Sequence, residues 1–233
     1  MSITFLIPIY NEVKTVRNAI EEAIEIEIPS KEIIIIDNNS TDGSKDIINE
    51  YRDKENIHII YQNKNLGFGN SIQDGFLKSS RDFIYIQYGD LEYDINASIK
   101  MLKLIKEKNL DVVFASRLKN VKTFKDFYRA LLKKPSYLAT IFCTSLVNLL
   151  YDKKFTDIIG TRLYRKDVFI PIIPRTSGQG FDFELASLIA KKSLKVEEVF
   201  IDYVPRENSS EKKIKFYHIL NAIYGILKVK FNK

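Results

Sequence analysis

One cysteine, Cys143, and two histidines, His58 and His218, are all that this 233-residue chain offers of the residues that build disulfides, zinc clusters and imidazole bases. A lone thiol excludes an intrachain disulfide and a cysteine-based zinc site, so a reducing compartment, the cytoplasm, is the expected location. The two histidines have no metal-ligand spacing, and Cys143 sits in an apolar helical stretch as a small core residue. No apolar run reaches the ~20 residues that cross a bilayer. The longest weakly polar stretch, Leu138 to Tyr151, contains Thr140, Thr144, Ser145 and Asn148. The opening Met1-Ser2-Ile3-Thr4-Phe5-Leu6-Ile7-Pro8 has no basic leader and no small-residue cleavage site, which predicts a strand and not a signal peptide. Repeats, low-complexity tracts and an obvious linker are also missing, so one domain with a C-terminal appendage is the economical division: 1–211, then a basic amphipathic helix over 212–233.

The chain is 45% hydrophobic and 28% charged, ordinary for a globular protein. Its 36 Lys and Arg exceed 30 Asp and Glu, giving a net charge of +6 and a pI near 9.1. That balance favours anionic partners such as nucleotide diphosphates, lipid phosphates or an anionic bilayer. The lysines are dispersed and no basic-aromatic module is present, which argues against nucleic acid.

Strand-length apolar runs alternate with amphipathic stretches through the first half, the pattern of βαβ units around a mostly parallel sheet in an α/β domain. Strands are expected at Ile3–Ile9, Glu32–Ile36, Ile57–Tyr61, Phe83–Gln87 and Val112–Ala115. Helices are expected at Val13–Ile26, Ser44–Asp53, Gly69–Ser79 and Ile95–Asn109, with Ile72, Phe76 and Leu77, and then Ile99, Leu102 and Ile105, on core faces. Thr41 and Asp42, and later Asp94 and Asn96, offer side-chain oxygens at helix starts. Beyond Arg117 the pattern reads as helices at Phe124–Lys133 and Tyr137–Tyr151, a hairpin around Phe155–Arg165, a helix over Phe181–Lys192, a strand within Val196–Val204, and the Lys-flanked tail. That tail could lie on a membrane surface or pack on the domain or a second subunit.

In open α/β sheets ligands bind outside the strand C-terminal ends. Those ends carry Ile7-Pro8-Ile9-Tyr10-Asn11-Glu12, then Ile36-Asp37-Asn38-Asn39-Ser40-Thr41-Asp42-Gly43, then Tyr88-Gly89-Asp90-Leu91-Glu92. Asp37 or Asn38 could hydrogen-bond a base and Tyr10 could stack on it, although the residues from Asn38 to Gly43 are also ordinary turn formers. Gly67-Phe68-Gly69 lacks the Lys-Ser/Thr ending of a triphosphate loop.

These segments, in this order, resemble the family-2 glycosyltransferases. Further matches are Asn65-Leu66-Gly67-Phe68-Gly69-Asn70, Phe114-Ala115-Ser116-Arg117, Thr156-Asp157, Arg162-Leu163-Tyr164-Arg165 and Gly180-Phe181-Asp182-Phe183-Glu184. The resemblance runs over nearly the whole chain and is greatest to the dolichol-phosphate mannose synthase branch and short bacterial surface-polysaccharide enzymes. It implies a nucleotide-sugar-binding, glycosyltransferase A-type fold and inverting transfer of a hexose from a UDP- or GDP-linked donor. The implied acceptor is a polyprenyl phosphate or lipid-linked glycan; the alternatives are a surface-glycan hydroxyl or silent nucleotide-sugar binding. A peripheral membrane contact and a homodimer are compatible with it.

The family's metal segment usually reads Asp-Ala-Asp, and here Tyr88 stands in place of the first acid. The resemblance assigns Mg²⁺ or Mn²⁺ to Asp90 and Glu92, oxygen ligands suited to a hard cation. It assigns the donor to Pro8, Tyr10, Glu12, Ile36, Asp37, Asn38, Tyr88, Gly89, Asp90, Arg117 and Arg206. Arg117 and Arg206 would also relieve charge on the leaving diphosphate. For a hydroxyl acceptor Asp182, or Glu184 two residues on, would supply the base, and a lipid phosphate would need none. Helix capping is an equally good role for Asp182.

Overall fold

β1 (Ser2–Ile9) sends Ile3, Phe5, Ile7 and Ile9 to one face of a sheet and Leu6 to the other, the two-residue alternation of a strand buried on both sides. β2 (Ser30–Asp37) does the same, with Ile33 and Ile35 on the first face and Ile34 and Ile36 on the second. The structure is a computed structural model and describes residues 2–120, 137–172, 174, 180–204 and 216–231.

Along the chain follow α1 (Val16–Glu25), α2 (Ser44–Asn49), β3 (Ile57–Tyr61), α3 (Phe68–Lys78), β4 (Phe83–Ile86), α4 (Ala97–Glu107) and β5 (Val112–Ser116). Then come α5 (Tyr137–Tyr151), β6 (Arg162–Arg165), a helical turn Lys166–Phe169, α6 (Phe181–Lys191), β7 (Val196–Phe200) and α7 (Phe216–Phe231). The strands order as β3-β2-β1-β4-β6-β5-β7. β6 pairs antiparallel with both β4 and β5, and the other pairings are parallel. The C-terminal ends of β1, β2, β4 and β5 therefore share one edge, where the start of β6 also arrives. Chain order reverses between β2-β1 and β4, so the crevice outside β1 and β4 is the switch point where α/β sheets bind ligands.

α1, with Val16, Ala19, Ile20 and Ala23 buried at helical spacing, and α4 cover the first face, whereas α3, α5, α6 and α7 cover the second. Two expected core residues face solvent, Leu77 at 70% and Ile99 at 43% exposure. The buried stripe of α3 runs through Ile72 and Phe76, and Leu77 lies one residue past it. On α4 the stripe centres on Ala97, Met101 and Ile105, which turns Ile99 to the opposite side.

The hairpin expected around Phe155–Arg165 is instead one strand, Arg162–Arg165, inserted between β4 and β5. Its partners are distant in sequence, a pairing that local pattern cannot reveal. The helix expected at Phe124–Lys133 and the boundary expected between 211 and 212 lie outside the described residues. Among the described residues no helix is long and apolar enough to cross a membrane.

Candidate functional site

The first two strand-end loops are laced together by their own polar residues. The Glu12 amide donates to Ser44 Oγ at 2.9 Å, the Val13 amide to Asp42 Oδ2 at 2.9 Å, and the Thr41 amide to Asn11 Oδ1 at 2.8 Å. Asp42 Oδ1 accepts from both the amide and the hydroxyl of Ser44, at 3.0 and 2.6 Å, and so fixes the start of α2. Asn11 and Asn39 take φ values of 56° and 62°, the left-handed conformation asparagine tolerates. Asp37 is buried, and its Oδ1 accepts from the Ser40 amide at 3.0 Å. These acids and amides build the rim.

Asn38 reaches the other way. Its Nδ2 donates to Asn65 Oδ1 at 3.0 Å and its Oδ1 accepts from the Leu66 amide at 2.7 Å, which ties the start of α3 to the end of β2. The result is a cavity of about 450 Å³ lined by Pro8, Tyr10, Glu12, Asn38, Asn65, Phe68, Ser71, Tyr88, Gly89 and Asp90, among others. It therefore gathers seven of the residues expected to frame a donor. Ile36 is fully buried beneath it and Asp37 lies outside its lining. Arg206 lies outside the described residues.

The segment after β4 is held close to β1. A Cβ on Gly89 would fall 2.3 Å from Ile9 Cδ1, and the Gly89 carbonyl accepts from the Thr15 hydroxyl at 2.6 Å. Leu91 takes φ 57°, a left-handed conformation that costs about 1–2 kcal/mol for such a side chain and marks a constrained turn between Asp90 and Glu92. Asp90 lines the cavity and accepts from the Glu92 amide at 3.3 Å. Glu92 Oε2 accepts from the Tyr203 hydroxyl, and a bridge between Tyr93 and Tyr203 joins this loop to the segment after β7. Among the described residues no three His, Cys, Asp or Glu side chains converge on a point.

Tyr88 stacks on Phe68 with ring centroids 5.6 Å apart and planes 5° from parallel, so the two present an aromatic wall to the cavity. Burial raises the Tyr88 phenol well above its ordinary range and Asp182 adds to the effect, so the side chain is neutral at physiological pH. The aromatic contacts continue from Tyr88 to Tyr93 and from Tyr93 to Tyr203, whose ring carries the Arg117 guanidinium at 5.3 Å.

Arg117, expected at a donor phosphate, is gripped by Asp157. Its Nε and Nη2 donate to the two carboxylate oxygens at 2.7 and 3.0 Å, and its amide adds a third bond at 3.1 Å. The side chains are 7% and 0% exposed, and Arg117 is not among the residues that line the cavity. Burial pushes Asp157 upward, and Arg117 with the neighbouring amides more than offsets it, leaving the carboxyl below its ordinary value.

Asp182 opens α6 and pairs with Arg162 at 2.8 Å. Arg162 is itself buried, donating also to the Ile158 carbonyl and lying 5.4 Å from the Phe114 ring centroid. Burial raises the Asp182 carboxyl, and Arg162 and Arg117 only partly reverse the shift. Glu184 is turned away, paired with Lys228 of α7 at 3.3 Å. Phe68, Ser71, Tyr93, Asp157, Arg162 and Tyr203 are the parts of this constellation that sequence reasoning did not assign. Phe68, Asp157 and Arg162 fell within segments that carried the resemblance, whereas Tyr93 and Tyr203 had no local signal.

The model of glycosyl transferase family 2 matches residues 4–172. Uncharacterized protein MJ0544 of Methanocaldococcus jannaschii is 26% identical over 207 residues, covering 84% of this chain and 85% of that protein. Poly-beta-1,6-N-acetyl-D-glucosamine synthase of Staphylococcus epidermidis is 30% identical over 105 residues, 45% of this chain and only 26% of the synthase. Among solved structures, glucosyl-3-phosphoglycerate synthase from Mycobacterium tuberculosis, in complex with Mn²⁺, UDP and phosphoglyceric acid, superposes with a TM-score of 0.73. It shares 12% identity and covers 99% of this chain and 78% of that one.

Proposed function

The chain belongs to glycosyl transferase family 2, and from that premise we propose that it transfers a hexose, with inversion, from a UDP- or GDP-linked donor to a polyprenyl phosphate or another lipid-linked acceptor. One observation carries the reading: Pro8, Tyr10, Glu12, Asn38, Tyr88, Gly89 and Asp90 meet in a single cavity at the switch point of the sheet. Tyr10 at the rim and the Phe68–Tyr88 wall would flank the base and sugar of the nucleotide.

Asp90 and Glu92 would hold Mg²⁺ or Mn²⁺ together with the donor diphosphate. When bound, the ion supplies a Lewis acid for the charge that develops on the leaving group. Two carboxylates suit a hard cation that completes its shell with phosphate and water, and they are too few to retain it without them. The structurally similar synthase that carries Mn²⁺ together with UDP supports a divalent ion accompanying the donor. Tyr203 holds Glu92 through its hydroxyl, and Arg117, fixed by Asp157, lies against the Tyr203 ring.

A phosphate acceptor is an anionic nucleophile that requires no base. The raised carboxyl of Asp182 favours a second reading in which the acceptor is a hydroxyl of a lipid-linked glycan and Asp182 removes its proton. Incubating labelled UDP- and GDP-hexoses with polyprenyl phosphate and, in parallel, with soluble saccharides separates the readings. Label entering the lipid phase is expected, and label reaching only soluble saccharides overturns the lipid acceptor. Asp182→Asn is expected to slow transfer to a hydroxyl by about 10²–10⁴-fold and leave transfer to a phosphate within a few fold. Because the base must be ionised, wild-type activity toward a hydroxyl should fall as pH drops through the raised Asp182 value, above the ordinary carboxyl range.

A further inference from the structure

Helix α5 is apolar on its outer face as well as its inner one, where Leu146 and Leu150 also pack against the core. Its inward positions are Thr140, Cys143, Thr144 and Val147, two of them hydroxylated, and Thr144 Oγ1 is buried without a partner. Its outward stripe is Leu138, Phe142, Ser145 and Leu149, with the three apolar side chains 57%, 54% and 81% exposed. No charged residue occurs anywhere from Tyr137 to Tyr151. A helix covering a core against water normally turns polar and charged residues outward.

The neighbouring helix repeats the spacing. Leu220, Tyr224, Leu227 and Phe231 follow one another at intervals of four, three and four residues, as on α5. Leu220, Tyr224 and Phe231 are exposed, while Ala222, Gly225, Ile226 and Val229 face inward. The C-terminal ends of the two helices touch: the Tyr151 hydroxyl donates to the Ile226 carbonyl at 3.0 Å, and the Lys230 ammonium bonds the Leu150 carbonyl and lies 5.2 Å from the Tyr151 ring centroid. Scattered exposed apolar residues are normal, whereas matching stripes on two neighbouring helices are the pattern of an interaction face.

We propose that α5 and α7 form a face that docks on an anionic lipid bilayer, with the two apolar stripes in the interfacial region and the basic ends of the helices at the headgroups. Charge selects this occupant. Neither helix carries an Asp or Glu; Asp152, Lys153 and Lys154 follow α5, a net positive end, and Lys228 and Lys230 close α7. Lys228 is engaged by Glu184 and Lys230 by the Leu150 carbonyl and the Tyr151 ring, so Lys153 and Lys154 lead the headgroup contact, with the charge of Lys230 behind them. A second copy of the chain would present the same uncharged stripes and an excess of lysines, with Asp152 the acid beside them. The surface does not rest on the proposed reaction. It does bear on it, because α6, with Asp182 at its start, packs against both docking helices.

The test is co-sedimentation of the full chain with phosphatidylcholine vesicles and with vesicles containing phosphatidylglycerol, at low and high salt, with light scattering of the free protein. Binding to the anionic vesicles that weakens with salt is expected. The triple variant Phe142→Glu, Leu149→Glu, Tyr224→Glu should lose at least about tenfold in vesicle affinity at unchanged Tm, since the three positions face solvent. Wild-type protein that ignores anionic vesicles, or a variant that binds them equally well, overturns the proposal. So does a stable wild-type dimer that the variant dissolves without any vesicle binding, which would assign the face to a second copy.

Discussion

A guanidinium that gives two nitrogens to one buried carboxylate is a structural part, and Arg117 with Asp157 is that part here. Removing one partner leaves the other charge buried alone, so Arg117→Ala is expected to lose about 3–5 kcal/mol of stability. The pair also sets an acid limit. The folded Asp157 carboxyl lies below its unfolded value of about 3.9, so its stabilisation is fully present above that pH and is lost as pH falls through the lower folded value. Thermal melts of wild type and Asp157→Asn should therefore differ most near neutrality and converge in strong acid, and a gap independent of pH would contradict the assignment. Sequence assigned Arg117 to the donor and its leaving diphosphate but could not reveal this partner, 40 residues away and on the far side of an unpatterned stretch. Tyr10, Glu12 and Asp90 were legible because each lies at a strand end, where side chains must enter the crevice.

Among the elements, β6 was the least legible and does much to shape the site. It is four residues long and pairs with strands that precede it by many residues, so no periodicity announces it. Its approach to β5 depends on Gly160, where a Cβ would fall 1.8 Å from the Ala115 carbonyl oxygen. That atom is backbone and cannot swing aside. Gly160→Ala is expected to cost about 3 kcal/mol or more and to lower Tm accordingly, a larger effect than usual for overpacking. Retention of wild-type stability would mean that β6 joins the sheet differently. By contrast β1 to β5 were readable as strands, since their apolar runs are bounded by turn residues. The helices around them were read to within a few residues, with their exact faces missed at Leu77 and Ile99.

For the whole molecule, the strand order carries the functional conclusion, because it brings loops distant in sequence to one crevice. The carboxylates proposed to hold the ion are two, Asp90 and Glu92, on either side of a constrained turn at φ 57°, with the neutral phenol of Tyr88 two residues before Asp90. An ion held so sparsely should bind only with the donor. Isothermal calorimetry of UDP- and GDP-sugars, each with and without Mn²⁺, on wild type and Asp90→Asn tests that claim most directly. The expected result is donor binding that Mn²⁺ strengthens at least about tenfold in the wild type, no measurable Mn²⁺ binding alone, and loss of the enhancement in Asp90→Asn. Equal donor affinity with and without Mn²⁺, or an enhancement that survives Asp90→Asn, would contradict the account.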